Sequence, residues 1–333
     1  MSESSEGPVF LLGAGASKDA FFPLVKDITD IEYLRFLENG IKYVDKHRDN
    51  IVSSAVIEMC QSFTNNDRSF ELALYESFRD QDKTTYNRLL EYYEFVLFTA
   101  ETYSGMVPTY GAPTGSIMDY GVGHYFLFSE FLKSLPSATV ISFNHDLSLE
   151  HGSEWKGFTY GGIHSHLHAI NGDSIKFGNT FTYLKLHGSF NFIYCEKCET
   201  ITYSSDYLWS IKFPCPNCGA NTHPWYVPPL KKKDYKPFAT LWKDAATALK
   251  QTNLIMIIGY SFPDYDEEAR RLLTENLNPD AWIVLIDTNP LAICKKLASL
   301  PNPRKHYFEV GFRDFMVGLE TNLDALDYLG NTF

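Results

Sequence analysis

Val9-Phe10-Leu11-Leu12-Gly13-Ala14-Gly15-Ala16-Ser17 is the stretch on which the reading of the chain turns. Val9 to Leu12 are apolar without alternation, which is the pattern of a strand covered on both faces in a parallel sheet. Gly13 and Gly15 then break the run, and having no Cβ they permit backbone angles and close approaches that a side chain forbids. Amides in such a strand-to-helix turn suit a diphosphate. The turn is nevertheless shorter than G-x-G-x-x-G and lacks the lysine of a P-loop, so a purely structural tight turn stands as the alternative. The rest of the chain has to decide between them.

With 333 residues, 44% of them hydrophobic and 15% aromatic, the chain can bury one large core or two modest ones. A formal net charge of -12 opposes broad attraction to nucleic acid or an anionic membrane, so direct binding of duplex DNA is not expected. Residues 1–8 lack the basic flank and apolar centre of a signal peptide and are expected to form a disordered lead-in. No apolar run approaches the roughly 20 residues of a membrane helix. A soluble cytoplasmic protein is the expectation.

Ile31, Leu34, Leu37, Ile41 and Val44 step by three or four residues, as one helical face does. Phe70, Leu74 and Phe78 repeat the spacing, as do Tyr86, Leu89, Leu90, Tyr93 and Leu97, and a further helix is expected over Tyr125 to Leu135. Residues 27–135 therefore read as a helical insertion whose aromatic stripes form core or a subunit interface. Gly105 to Gly123, rich in Gly, Pro, Ser and Thr, reads as a flexible loop within it.

Beyond Pro136 the pattern changes. Ala138 to Phe143 is a β-type run ending in Asn144-His145-Asp146, and Tyr183 to Leu186 runs into His187-Gly188-Ser189. Leu254 to Ile258 runs into Gly259-Tyr260-Ser261, and Trp282 to Ile286 ends in Asp287. Helical patterns follow the later strands at Glu267 to Leu277, Leu291 to Leu300 and Phe312 to Leu326. Alternation of this kind predicts a parallel α/β sheet, and doubly wound sheets bind ligands at the carboxyl ends of their strands. Residues 9–26 and 136–333 would form that domain.

Cys195-x-x-Cys198 and Cys215-x-x-Cys218 have the spacing of a four-thiolate zinc ribbon, expected as a module over residues 190–225. Four thiolates close the coordination shell of a Zn2+ ion, so the metal would support folding and leave no position for a reactive water. His164, His166 and His168 alternate, but no carboxylate partner accompanies them, and Lys231-Lys232-Lys233 reads as a solvated charge run. His187, at a strand end beside Gly188, reads as catalytic.

The ordered set Gly13-Ala14-Gly15-Ala16-Ser17, Ser142-Phe143-Asn144-His145-Asp146, Lys185-Leu186-His187-Gly188-Ser189, the two cysteine pairs and Gly259-Tyr260-Ser261 resembles the sirtuin superfamily. It looks closest to the sirtuin-like NAD+ hydrolase branch of bacterial anti-phage defence systems. The resemblance covers about two-thirds of the chain and leaves residues 27–135 without a match. It implies a Rossmann-like, doubly wound domain with an inserted zinc ribbon and NAD+ as substrate, with Gly13, Ala14, Gly15 and Ser17 around the diphosphate. Asn144 would stand by the nicotinamide ribose and its attacking water, Asp146 would hold the carboxamide, and His187 would meet the ribose hydroxyls. Gly259 and Ser261 would line the cofactor, and Asp287 would accept the adenosine ribose hydroxyls, as an acidic residue does in dinucleotide sites generally.

Departures from the protein deacylases narrow the reading. Phe143-Asn144-His145-Asp146 stands where they carry Gln-Asn-Ile-Asp, and Pro23-Leu24-Val25-Lys26 where they carry Pro-Asp-Phe-Arg. Trp225-Tyr226-Val227-Pro228-Pro229 replaces their acyl-lysine-binding Phe-Gly-Glu segment. Cleavage of NAD+ to nicotinamide and ADP-ribose needs fewer of these groups and is the expected activity. The alternatives are an NAD+-dependent protein deacylase and a non-catalytic subunit that senses NAD+ or ADP-ribose. Because an unrestrained NAD+ hydrolase harms its own cell, activity would await assembly: a homo-oligomer, with a HerA-type ATPase or a prokaryotic Argonaute as partner by analogy with the defence branch.

Overall fold

A computed structural model describes residues 7–45, 52–65, 69–106, 122–161, 163, 181–203, 214–229, 235–300 and 304–321. The alternating histidines 164–168, the lysine run 231–233, residues 1–6 and most of the 105–123 loop lie outside these. Gly7 and Pro8, at the end of the expected disordered lead-in, are fastened to the sheet domain. The Gly7 carbonyl accepts from Thr252 Oγ1 at 3.2 Å, and that of Pro8 from the Thr139 amide at 3.1 Å.

The strands in chain order are β1 (Val9–Leu12), β2 (Thr139–Ser142), β3 (Phe158–Tyr160), β4 (Phe181–Lys185), β5 (Gly188–Cys195), β6 (Thr200–Tyr203), β7 (His223–Tyr226), β8 (Leu254–Ile258), β9 (Trp282–Asp287) and β10 (Lys305–Glu309). Seven of them form one sheet in the order β10-β9-β8-β1-β2-β4-β3, every pairing parallel. The opening run is its centre. All four residues of β1 are buried, opposite Thr139–Ser142 on one side and Ile255–Ile258 on the other. That double covering is what an apolar run without alternation requires. β3 and β10 were not anticipated; both are edge strands, one of three residues and the other polar and half-exposed, as suits an edge.

Ten α-helices accompany the strands among the described residues: α1 (Ile31–Val44), α2 (Ser54–Asn65), α3 (Phe70–Arg79), α4 (Lys83–Met106), α5 (Gly123–Ser134), α6 (Ser148–Gly152), α7 (Ala239–Gln251), α8 (Glu267–Asn276), α9 (Pro290–Lys296) and α10 (Phe312–Thr321). Asp30 caps α1 by accepting from the Glu32 amide, and the helix buries Leu34, Leu37 and Ile41, the face its spacing predicts. α4 buries Leu89, Tyr93, Val96, Leu97 and Ala100, and its core is continuous with that of the sheet. No described helix is long and apolar enough to cross a membrane.

After β1 the chain crosses to β2 on one side, whereas after β8 it crosses to β9 on the other. The winding reverses between β1 and β8, and the crevice beyond their carboxyl ends is where doubly wound sheets take ligands. Between β4 and α7 the small antiparallel sheet β6-β5-β7 carries the cysteine pairs, inserted as the sequence predicts.

Candidate active site

The glycine turn leads not into an α-helix but into a 3-10 helix over Ala14–Ala20. Its glycines are needed by a neighbouring loop. Gly13 and Gly15 donate their amides to the carbonyls of Ile258 and Gly259 at 3.0 and 2.8 Å, which sews the end of β1 to the end of β8. A Cβ on Gly15 would lie 2.8 Å from the Gly259 carbonyl oxygen. One on Gly259, whose φ is +59°, would lie 2.1 Å from the Ala16 nitrogen. Two backbones meet here with no room for side chains.

β2 delivers Asn144 into this turn. Its Nδ2 donates to the Gly13 carbonyl at 2.9 Å and to Ser17 Oγ at 3.0 Å, and Ser17 is in turn 2.7 Å from the Tyr125 hydroxyl on α5. Since a carbonyl can only accept, the amide orientation is fixed and Oδ1 is left as the atom with which Asn144 can hold a water or a sugar hydroxyl. His124, beside Tyr125, reaches the Ala16 carbonyl at 3.2 Å, so α5 grips the 3-10 helix twice. Burial lowers the pKa of His124 to about 4 and keeps it neutral.

Asp146, two residues on, is 6% exposed, and its Oδ1 accepts from the Ser148 amide at 3.0 Å. Its carbonyl accepts from the ammonium of Lys185, which also pairs with Glu150 at 3.0 Å; both partners are wholly buried. Burial raises the Glu150 carboxyl against the opposing pull of Lys185. Tyr160 donates to the same carboxylate at 2.5 Å. The Asn144–Asp146 turn is thus anchored from beneath by an ion pair. From above, α4 holds it: the Tyr93 hydroxyl meets His145 Nδ1 at 3.0 Å, and Glu101 accepts from the Leu147 amide at 3.4 Å while meeting His151 at 3.2 Å.

His187 follows β4 and is 6% exposed. Its Nε2 is 3.3 Å from Asp266 Oδ1 and 3.3 Å from the Tyr235 hydroxyl, and Asp266 also accepts from Tyr260. Phe143 stacks on Tyr260 at 4.6 Å and meets the His187 ring edge-on at 4.9 Å.

Ala14, Ser17, Asn144, Asp146 and His187 line a single pocket at the carboxyl edge of the sheet. Tyr93 and Leu97 from α4, with Asp266 beyond β8, complete the wall. From sequence, Tyr93 and Leu97 belong to a helical face, and none of the three is assigned to the site. Its free volume is about 100 Å³, below the several hundred Å³ usual for a small-molecule site. Tyr260 is part of its wall and packs against Gly13, where a Cβ would meet the ring at 2.3 Å. Gly13, Gly15 and Gly259 do not line the pocket; Gly15 and Gly259 pack on each other, and Gly13 is bonded to Ile258 and Asn144. Ser261 and Asp287 are not brought to it: Ser261 is exposed and its carbonyl accepts from Lys296 at 2.9 Å, while Asp287 accepts from the Asn289 amide at 2.7 Å.

The four cysteine sulfurs of Cys195, Cys198, Cys215 and Cys218 lie within 4.8 Å of one another. Two of the separations, Cys195 to Cys218 and Cys198 to Cys215, are 3.5 Å. A tetrahedral Zn2+ with bonds of about 2.3 Å sets its sulfurs about 3.8 Å apart, so the thiolates fit that ion. None is in a disulfide.

No family model matches the sequence, and no curated protein matches it. Solved structures similar in fold include a mutant Sir2 homologue with 2′-O-acetyl ADP-ribose, at 16% identity and a TM-score of 0.49 over 98% of each chain. A Sir2 homologue–NAD complex is similar at 14% identity and a TM-score of 0.47, covering 97% of this chain and 91% of its own. A further Sir2 homologue mutant, with ADP-ribose, is similar at 15% identity and 0.47 over 99% of each chain. Each of these three solved structures is of a Sir2 homologue.

Proposed function

We propose that the chain is an NAD+ hydrolase that releases nicotinamide and ADP-ribose, and that it acts by NAD+ depletion as an effector of bacterial anti-phage defence. The observation that carries the reading is the convergence of Asn144 and His187 on one pocket beyond the glycine turn, with Ala14, Ser17 and Asp146 in the same wall. In the cleavage, the glycosidic bond breaks with its electron pair passing to the pyridinium nitrogen, so the leaving group departs neutral and needs no acid. Water held by Asn144 Oδ1 adds to the ribosyl cation, and its proton passes to His187. Asp146 would hold the carboxamide, with Gly13, Gly15 and Gly259 toward the diphosphate, and the adenosine end would run outside the pocket to meet Ser261 and Asp287.

Activity would be held off in the resting state. Release would come with assembly, as a homo-oligomer or with a HerA-type ATPase or Argonaute partner in the cytoplasm. The test is chromatography of products after incubating the protein with NAD+, alone and with the product of the neighbouring gene. Nicotinamide and ADP-ribose should appear, and Asn144→Ala and His187→Ala should each cut the rate by about 10² or more. NAD+ left intact under every activation, or an Asn144→Ala variant as fast as the parent, would overturn the reading. Tight binding without turnover would mark a sensing subunit, and O-acyl-ADP-ribose formed on an acyl-lysine peptide would mark a deacylase.

A further inference from the structure

Asp266 stands at the N-cap of α8, where a carboxylate ordinarily accepts from the amides of the first turn for about 1 kcal/mol. It makes no such bond. Its side chain turns the other way, into the pocket wall, where it is 2% exposed and meets Nε2 of His187 at 3.3 Å while accepting from Tyr260. Tyr235, whose hydroxyl lies 3.3 Å from the same imidazole nitrogen, is also hydrogen-bonded to this carboxylate. A carboxylate buried to this degree is sustained only by donors, and here they come from three separate stretches of chain. The local conformation supplied a use for Asp266 at the helix end, and the fold directs it at His187 instead.

We propose that Asp266 is the positioning residue for His187: it fixes the imidazole's rotation and keeps a hydrogen on Nε2, so that Nδ1 carries the lone pair of the base. Since a carboxylate only accepts, the nitrogen facing it must donate, and in a neutral imidazole the other nitrogen is then the acceptor. The proton lost by the attacking water arrives on Nδ1. The imidazolium so formed keeps its Nε2 hydrogen toward Asp266, whose charge faces it across 3.3 Å. This role rests on the hydrolase reading for its kinetic consequence, but the pairing itself is a property of the resting protein.

Two measurements separate the two. In protein labelled with 15N-histidine, His187 should show a single neutral tautomer with protonated Nε2, and Asp266→Asn should change its ring-nitrogen shifts to those of a tautomer mixture. His187 shifts identical in parent and Asp266→Asn would overturn the proposal, whatever the protein does to NAD+. In the activated enzyme, Asp266→Asn should lower kcat at least tenfold with KM for NAD+ within about threefold, and Asp266→Glu should recover part of the loss. The exposed neighbour Asp264, changed to Asn, should leave both constants unchanged. A parent with no NAD+ cleavage would defeat the hydrolase reading alone, because the spectra still decide the pairing. A variant with altered His187 shifts and an unaltered kcat would defeat the catalytic consequence.

Discussion

Lys185 and Glu150 are wholly buried, and each makes sense only through the other. Lys185 comes from the end of β4 and Glu150 from α6, and the ammonium also reaches the Asp146 carbonyl, so the pair fixes the turn that carries Asn144. Removing one member strands a charge in the interior at about 3–5 kcal/mol, whereas replacing both with neutral groups of similar volume costs far less. Lys185→Met should therefore lower the denaturant midpoint sharply. Lys185→Met with Glu150→Gln should recover most of the loss while leaving the Asn144 turn without its anchor, so that stability returns and NAD+ binding does not. Additive stability losses in that double-variant cycle would show that the two side chains act independently. Nothing in the Lys185-Leu186-His187 run signals this: a lysine at a strand end reads as solvent-facing until the fold covers it.

The element scale shows why some of the architecture was legible and some not. β1 and α1 announce themselves because their burial matches their sequence period: four consecutive apolar residues between two strands, and Leu34, Leu37 and Ile41 on one inward face. α7 has the same kind of stripe in Leu241, Ala245 and Leu249, but one member is a small alanine amid lysines and threonines, and it went unread. β10 offers no alternation because an edge strand buries little. Of the pocket, the strand-end residues could be named in advance, since sheet topology dictates where strands end. Tyr93 and Asp266 could not, because a helix 50 residues upstream and a helix cap are brought in by packing alone. The cysteine module was the most legible element, its chemistry being written in its spacing. β5 is buried along its whole length and packs on the main core, but the turns that carry Cys198, Cys215 and Cys218 do not, so the ion would contribute much of their stability. Chelation should release one Zn2+ per chain, and Cys198→Ser should abolish it. Loss of metal should lower the melting temperature by several degrees and expose the 195–218 segment to protease. An intact, protease-resistant module after complete chelation would mean the sheet holds itself.

At the scale of the whole molecule, the helical segment is not an appendage to the sheet domain but one wall of its site. α4 supplies Tyr93 to His145 and Glu101 to the Leu147 amide, and α5 supplies His124 and Tyr125 to the 3-10 helix behind the glycine turn. A partner seated on these helices would contact the elements that hold the site loops, as the proposed activation by assembly requires. Two histidines in these contacts give the arrangement opposite responses to pH. Burial lowers the pKa of His124 to about 4 from an ordinary 6.5, so the unfolded chain takes up a proton that the folded one refuses. Stability from this group is whole above pH 6.5 and is lost as pH falls toward 4, by on the order of 2 kcal/mol between pH 7 and pH 5. Burial also opposes charge on His151, but the hydrogen bond and charge of Glu101 outweigh it and raise the pKa. Its contribution is whole below pH 6.5 and is lost as pH rises past the raised value; with the side chain 36% exposed, it is the smaller of the two. Urea midpoints at pH 7 and pH 5 should therefore fall on acidification in the parent protein, and His124→Gln should flatten most of that fall while His151→Gln should steepen it. A parent whose midpoint is unchanged between the two pH values, or a His124→Gln variant that keeps the full dependence, would mean that α5 does not hold the glycine turn through a neutral imidazole.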